Sequence, residues 1–71
     1  MNYHLIDTLA FNVKFFRKKM GISQLELAQK CKLHRTYIGG IERGEKNITL
    51  NTLEILSTAL DVTPCQLITR D

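Results

Sequence analysis

The 71-residue sequence predicts an all-α fold: one compact domain, residues 1–71, built of five short helices. Three observations carry that expectation. Apolar residues recur at three- and four-residue spacing along the longer segments. Side chains suited to cap helix N-termini, Asp7, Ser23, Thr49 and Thr63, stand at the head of successive segments. Hydrophobic residues are 44% of the chain, enough for one compact core. A chain of this length buries only about 60% of its unfolded surface, and small domains often gain stability by self-association.

The elements follow in order. Helix 1 is predicted over about Thr8 to Met20 behind an Asp7 cap, with an earlier start near Tyr3 as the alternative. Leu9, Val13, Phe16 and Met20 form its inward stripe, and Phe11 and Phe15 an adjacent one that either widens the core contact or stays partly exposed. Gly21 ends it. Ser23 caps helix 2 (about Gln24 to Cys31), and Glu26, three residues on, completes a capping box. Leu27, Ala28 and Cys31 face inward, and Lys32-Leu33-His34 makes a tight turn. Helix 3 runs from about Arg35 to Arg43, with residues 44–48 as a loop. Thr49 caps helix 4, which continues to about Leu60 and carries Leu53, Leu56 and Leu60 inward. Helix 5 opens on Thr63-Pro64-Cys65-Gln66, where threonine caps, proline takes the first helical position and glutamine closes a second capping box.

Composition excludes several classes of function. No apolar run is long enough to span a membrane, and the N-terminus lacks the basic region of a signal peptide, so a cytoplasmic protein is expected. Cys31 and Cys65 have neither metal nor redox spacing, and His4 and His34 belong to no ligand cluster. No metal, cofactor or small-molecule ligand is expected. No nucleophile–base pair or pair of carboxylates marks a catalytic centre, so the chain is not read as an enzyme. The net charge of +3 is unevenly placed: residues 1–46 carry a balance of +5, and residues 47–71 a balance of −2. A basic half beside a neutral-to-acidic end fits a phosphate-facing surface.

Residues 21–44, GISQLELAQKCKLHRTYIGGIERG, read as two short helices joined by a tight turn, the unit that lays its second helix in the DNA major groove. On helix 3, Ile38, Ile41 and Glu42 share one face, and Thr36, Gly40 and Arg43 the opposite one. Arg35 is the leading base reader, because arginine can make a bidentate pair with guanine O6 and N7. Thr36 can bond a base or phosphate, or meet a thymine methyl, and Tyr37 can reach a phosphate through its hydroxyl. Arg43, Lys46 and Asn47 stand where phosphate clamps belong, with Lys14 and Lys18 as weaker candidates. Ser23 and Gln24 head helix 2, whose N-terminal amides suit an anion. Gly39 and Gly40 inside helix 3 each cost about 1 kcal/mol against alanine. For Gly40, on the outward face, the expected role is a close approach to base edges.

These residues resemble the Cro and lambda-repressor-like family of DNA-binding domains, the XRE family. The matching words are Ile22-Ser23-Gln24, Leu27-Ala28, and Tyr37-Ile38 followed by Ile41-Glu42-Arg43-Gly44. A further match runs from Leu50 through Leu53, Leu56 and Ala59-Leu60 to Val62, so the likeness spans about Leu9 to Ile68. Arg35-Thr36-Tyr37-Ile38 through Glu42-Arg43 is most similar to the controller proteins of restriction–modification systems.

The resemblance implies a five-helix lambda-repressor-like fold with the helix-turn-helix formed by helices 2 and 3. It implies that Gln24 donates to a phosphate and buttresses the first recognition side chain, and that Arg17 and Glu42 pair between helices 1 and 3. Lys32 replaces the glycine or asparagine usual at its turn, where a left-handed backbone costs roughly 1 kcal/mol or more. His34 replaces the usual serine, threonine or aspartate cap of helix 3.

The function expected is that of a sequence-specific transcriptional regulator, a homodimer on palindromic double-stranded operator DNA. Val62, Leu67 and Ile68 at the C-terminal end are the expected dimer surface. The alternatives are a protein-interaction or antitoxin-type module on the same fold, or the regulatory N-terminal domain of a larger protein.

Overall fold

The structure is a computed structural model and describes residues 4–70. Among the described residues five helices follow one another: α1 (Leu5–Met20), α2 (Gln24–Cys31), α3 (Arg35–Glu42), α4 (Leu50–Leu60) and α5 (Pro64–Ile68). α1 packs against α3, α4 and α5. α2 packs against α3 and α4, and α4 against α5. Val13, Leu27, Ile38, Ile41, Leu56 and Leu67 meet at the centre without measurable exposure to water or nearly so.

Local chemistry sets the boundaries. Ser23 Oγ accepts from the Glu26 amide at 3.0 Å, and Glu26 Oε1 accepts from the Ser23 amide at 2.8 Å. Thr63 and Gln66 make the same reciprocal pair on α5. Thr49 Oγ1 accepts from the Thr52 amide. At their C-terminal ends, α1, α2 and α4 each pass into a left-handed residue, Gly21, Lys32 and Asp61. The amide one residue on then bonds back to a carbonyl in the last turn. Lys32 holds φ 57° there, the strain its sequence position implies.

α1 starts one turn earlier than its Asp7 cap predicts. His4 is the N-cap, without a side-chain bond, and Asp7 lies in the first turn, where its charge suits the helix dipole. The alternative start at Tyr3 lies outside the described residues. Met20, expected in the core, is 40% exposed, and it lines a groove beside Leu60, Asp61 and Val62 at the α4–α5 corner. Arg17 turns inward instead and is buried.

Leu67 corrects a larger expectation. It is fully buried, so it belongs to the core and not to a dimer surface. The cause is Asn12, a buried polar residue on α1. Its Nδ2 shares two N–H groups among the carbonyls of Gln66, Leu67 and Thr69, at 3.2, 3.0 and 3.0 Å. The side-chain amide thus satisfies the carbonyls at the end of α5, and it draws that short helix onto α1 with Leu67 facing in. Val62 is half-buried against the same core, and Ile68 is 38% exposed.

A second polar network fixes the helix-turn-helix on α1. Arg17 Nε donates to Glu42 Oε2 at 2.6 Å, and its Nη2 donates to Glu42 Oε1 at 2.9 Å. Arg17 Nη1 donates to the Ile22 carbonyl at 2.9 Å, and Gln24 Nε2 donates to Glu42 Oε1 at 3.1 Å. The Glu42 carboxylate therefore ties α1, α2 and α3 together, and Arg17 adds the α1–α2 link. Only 10% of the Arg17 side chain and 3% of the Glu42 side chain are exposed. The hydrogen bond to Glu42 pushes the Arg17 guanidinium above its ordinary range, against the opposing effect of burial.

Removing the carboxylate leaves a buried cation without its counter-ion. Glu42→Ala should therefore cost about 3–5 kcal/mol, against about 0–1 kcal/mol for an exposed pair. Urea denaturation followed by circular dichroism measures the loss, and an unchanged midpoint would contradict the network's structural role.

Candidate nucleic-acid interface

The second helix of the helix-turn-helix is α3. Its inner face is Ile38 and Ile41, both buried, and the Glu42 anchor ends it. Its N-terminus projects: Arg35 and Thr36 are exposed there, and Tyr37 is half-buried with its ring against the core. His34 is a working N-cap, since its Nδ1 accepts from the Thr36 amide at 3.2 Å. The cap holds the first turn rigid beneath the two side chains most able to read a base edge.

Ser23 and Gln24 differ from each other in what they have free. The Ser23 hydroxyl and amide are both engaged in the α2 capping box. Gln24 is half-buried and spends its Nε2 on Glu42, so its first role here is to brace the anchor of α3. Its Oε1 lies beside Gly39.

Beyond the other end of α3 lie Arg43, Lys46 and Asn47, all exposed. Arg43 Nε donates to Glu45 Oε2 at 3.0 Å across open solvent. This contact holds the arginine above and the Glu45 carboxyl below their ordinary pKa ranges. An exposed pair of this kind is worth little and yields readily to a phosphate. The chain turns back at Gly44 (φ 74°), where the Glu45 amide bonds the Gly40 carbonyl at 2.9 Å. That turn returns Lys46 over the end of α3.

Gly40 departs from its expected role. It is buried, because the aliphatic stem of Lys46 lies across it, so it offers no bare surface to a base edge. Gly39 is likewise covered, by the Arg43 guanidinium and the Gln24 amide.

One apolar groove escaped the sequence reading, and the Phe11–Phe15 stripe takes the exposed one of its two expected positions. Leu50 (84% exposed), Leu5 (66%) and Ile68 surround a groove of about 230 Å³. Ile6, Leu9, Ile48 and Leu53 line it, and Lys46 and Asn47 border it. On the other side of α1, Phe11 and Phe15 are exposed, with near-parallel rings 6.2 Å apart. Leu50 extends the Leu53–Leu56–Leu60 stripe by one turn, so spacing alone marks it as core. Its position in the first turn of α4 leaves it uncovered.

Among the described residues, no group of histidine, cysteine, aspartate and glutamate side chains could hold a metal ion. No helix among them is long and apolar enough to cross a membrane. Cys31 is buried, which pushes its thiol up, and Cys65 is exposed.

Comparison with known proteins accords with this geometry. A helix-turn-helix family model matches residues 13–67. Over 64 residues the chain is 48% identical to control protein C.SmaI of Serratia marcescens, covering 90% of this chain and 76% of that one. The restriction–modification controller protein C.AhdI from Aeromonas hydrophila has the same fold, with a TM-score of 0.85 and 37% identity over 92% of this chain and 98% of that one. The controller protein C.Esp1396I, solved as a tetramer in complex with its natural 35 base-pair operator, matches with a TM-score of 0.83 and 36% identity. That match covers 93% of this chain and 87% of that one. The chain belongs to the XRE-type helix-turn-helix family of DNA-binding regulators, and it is a relative of the controller proteins of restriction–modification systems.

Proposed function

We propose that the chain regulates transcription as a homodimer bound to a palindromic operator beside its own gene, as a cytoplasmic controller protein of a restriction–modification system. The observation that carries this reading is the exposed Arg35–Thr36 pair on the capped first turn of α3, a helix anchored to α1 by a buried ion pair. Arg35 pairs with guanine in the major groove, and Thr36 meets the neighbouring base or phosphate. Tyr37, Arg43, Lys46 and Asn47 contact phosphates on the groove rim and set the register, and the N-terminus of α2 with Ser23 and Gln24 faces the backbone.

One recognition helix reads few base pairs, and a two-fold dimer reads two half-sites about 34 Å apart. The dimer surface in this reading is the groove of Leu5, Leu50 and Ile68. A contiguous apolar patch on a small protein marks an interaction site. This one borders the loop of Lys46 and Asn47, so a second copy seated on it would lie beside the proposed phosphate contacts.

Binding should be specific and salt-dependent, because the phosphate contacts release counterions. The test titrates the protein into DNA from directly upstream of its gene and into a scrambled duplex at two salt concentrations. Equal affinity for both at every salt would refute a specific regulator. Arg35→Ala should remove preference at one base pair per half-site, a loss of about 1–3 kcal/mol, whereas Lys46→Ala should weaken all sequences alike.

Leu50→Asp tests the dimer surface. Leu50 is 84% exposed in the monomer, so the fold should survive the change. A self-complementary interface meets the new charge twice. Sedimentation should show a monomer with unchanged helicity and sharply reduced affinity for the upstream duplex. A helical dimer with full affinity would move the interface elsewhere.

A further inference from the structure

We propose that Gly40 is a positioning residue for DNA binding: its missing side chain makes a bed that holds Lys46 across the end of the recognition helix. The proposal rests on the reading of Lys46 as a phosphate contact. A Cβ placed on Gly40 would lie 2.8 Å from Lys46 Cε, 3.0 Å from Cγ and 3.4 Å from Cδ. Ordinary carbon contacts are about 3.5–4.0 Å, so a side chain at residue 40 would displace the exposed lysine stem from its observed path.

The path itself is set by the backbone. Gly44 turns the chain back with φ 74°, and the Glu45 amide closes that turn on the Gly40 carbonyl at 2.9 Å. Residue 46 is thereby returned over residue 40, and the stem lies against the face of α3 that Gly40 leaves bare. A long cationic side chain loses rotamer freedom when it is fixed on a phosphate. In this proposal the contact with residue 40 removes part of that freedom before DNA is met, so less is lost on binding. The glycine that weakens α3 as a helix orients the cation at its end.

Gly40→Ala separates this role from a structural one. Alanine favours a helix interior over glycine, so the melting temperature should hold or rise. Affinity for both the upstream duplex and a scrambled duplex should nonetheless fall by roughly two- to tenfold, the cost of fixing one free side chain. In a Lys46→Ala background the same substitution should change affinity by less than about twofold, because the side chain that it displaces is gone. Carbon-13 relaxation of the Lys46 side chain in the free protein should show a restrained stem in the wild type and a mobile one in Gly40→Ala. Gly39→Ala, which meets the Arg43 guanidinium and not Lys46, should leave the Lys46 stem restrained.

Equal losses from Gly40→Ala in the wild-type and Lys46→Ala backgrounds would overturn the proposal and return Gly40 to a direct approach to the bases. Unchanged affinity and unchanged relaxation in Gly40→Ala would also overturn it. If Lys46→Ala alone alters neither affinity nor salt dependence, the phosphate-contact reading fails and the proposal fails with it. That result is distinguishable, because the restrained stem would still be seen by relaxation.

Discussion

The Arg17–Glu42 pair is the constraint on which the rest of the molecule depends. A buried ion pair adds little net stability over a well-packed apolar substitute, since both charges lose their water. What it supplies here is geometry. The fork of Arg17 binds both oxygens of Glu42, and Gln24 holds one of them from α2. Sliding α3 by one residue would break every one of these bonds and strand a charge in the interior. The recognition helix therefore has one permitted register against α1, and the projection of Arg35 and Thr36 follows from it.

Around that anchor the molecule separates its tasks. The first turn of α3 carries the groups that can distinguish bases, and the loop beyond its other end carries Arg43, Lys46 and Asn47. The apolar groove begins where that loop ends, between the start of α1, the start of α4 and Ile68. In the proposed dimer this nearness is functional: a side chain that touches phosphate stands beside the surface that sets half-site spacing. Lys46 and Asn47 border both regions. Asn12 contributes at a distance, because its hold on α5 decides that Leu67 fills the core while Ile68 stays at the rim.

How much of this was legible depended on the range of the interaction. The helices were readable because their signals are local. Ser23 with Glu26, Thr63 with Gln66, and Gly21 each act within three or four residues of a boundary. The Arg17–Glu42 pair was legible only through resemblance, since no spacing rule connects positions 25 residues apart. Asn12 was invisible because its acceptors lie 54 to 57 residues away, and a lone asparagine among apolar neighbours carries no partner in its pattern. Leu67 was misplaced because α5 has five residues, too few for periodicity to show which face turns in. Gly40 sits on the outward face that a helical wheel assigns to it. The wheel does not show the lysine six residues on that folds back to cover it.

Nitrogen-15 spectra of the arginine side chains, recorded while the upstream duplex is titrated into the protein, test the central claim most directly. The account predicts that the Arg35 Nε–H resonance moves strongly as it meets a base. The Arg17 Nε–H should stay in place and remain protected from exchange, because its partner is Glu42 in both states. An Arg17 resonance that moves as far as that of Arg35, or one that exchanges freely in the absence of DNA, would contradict the account.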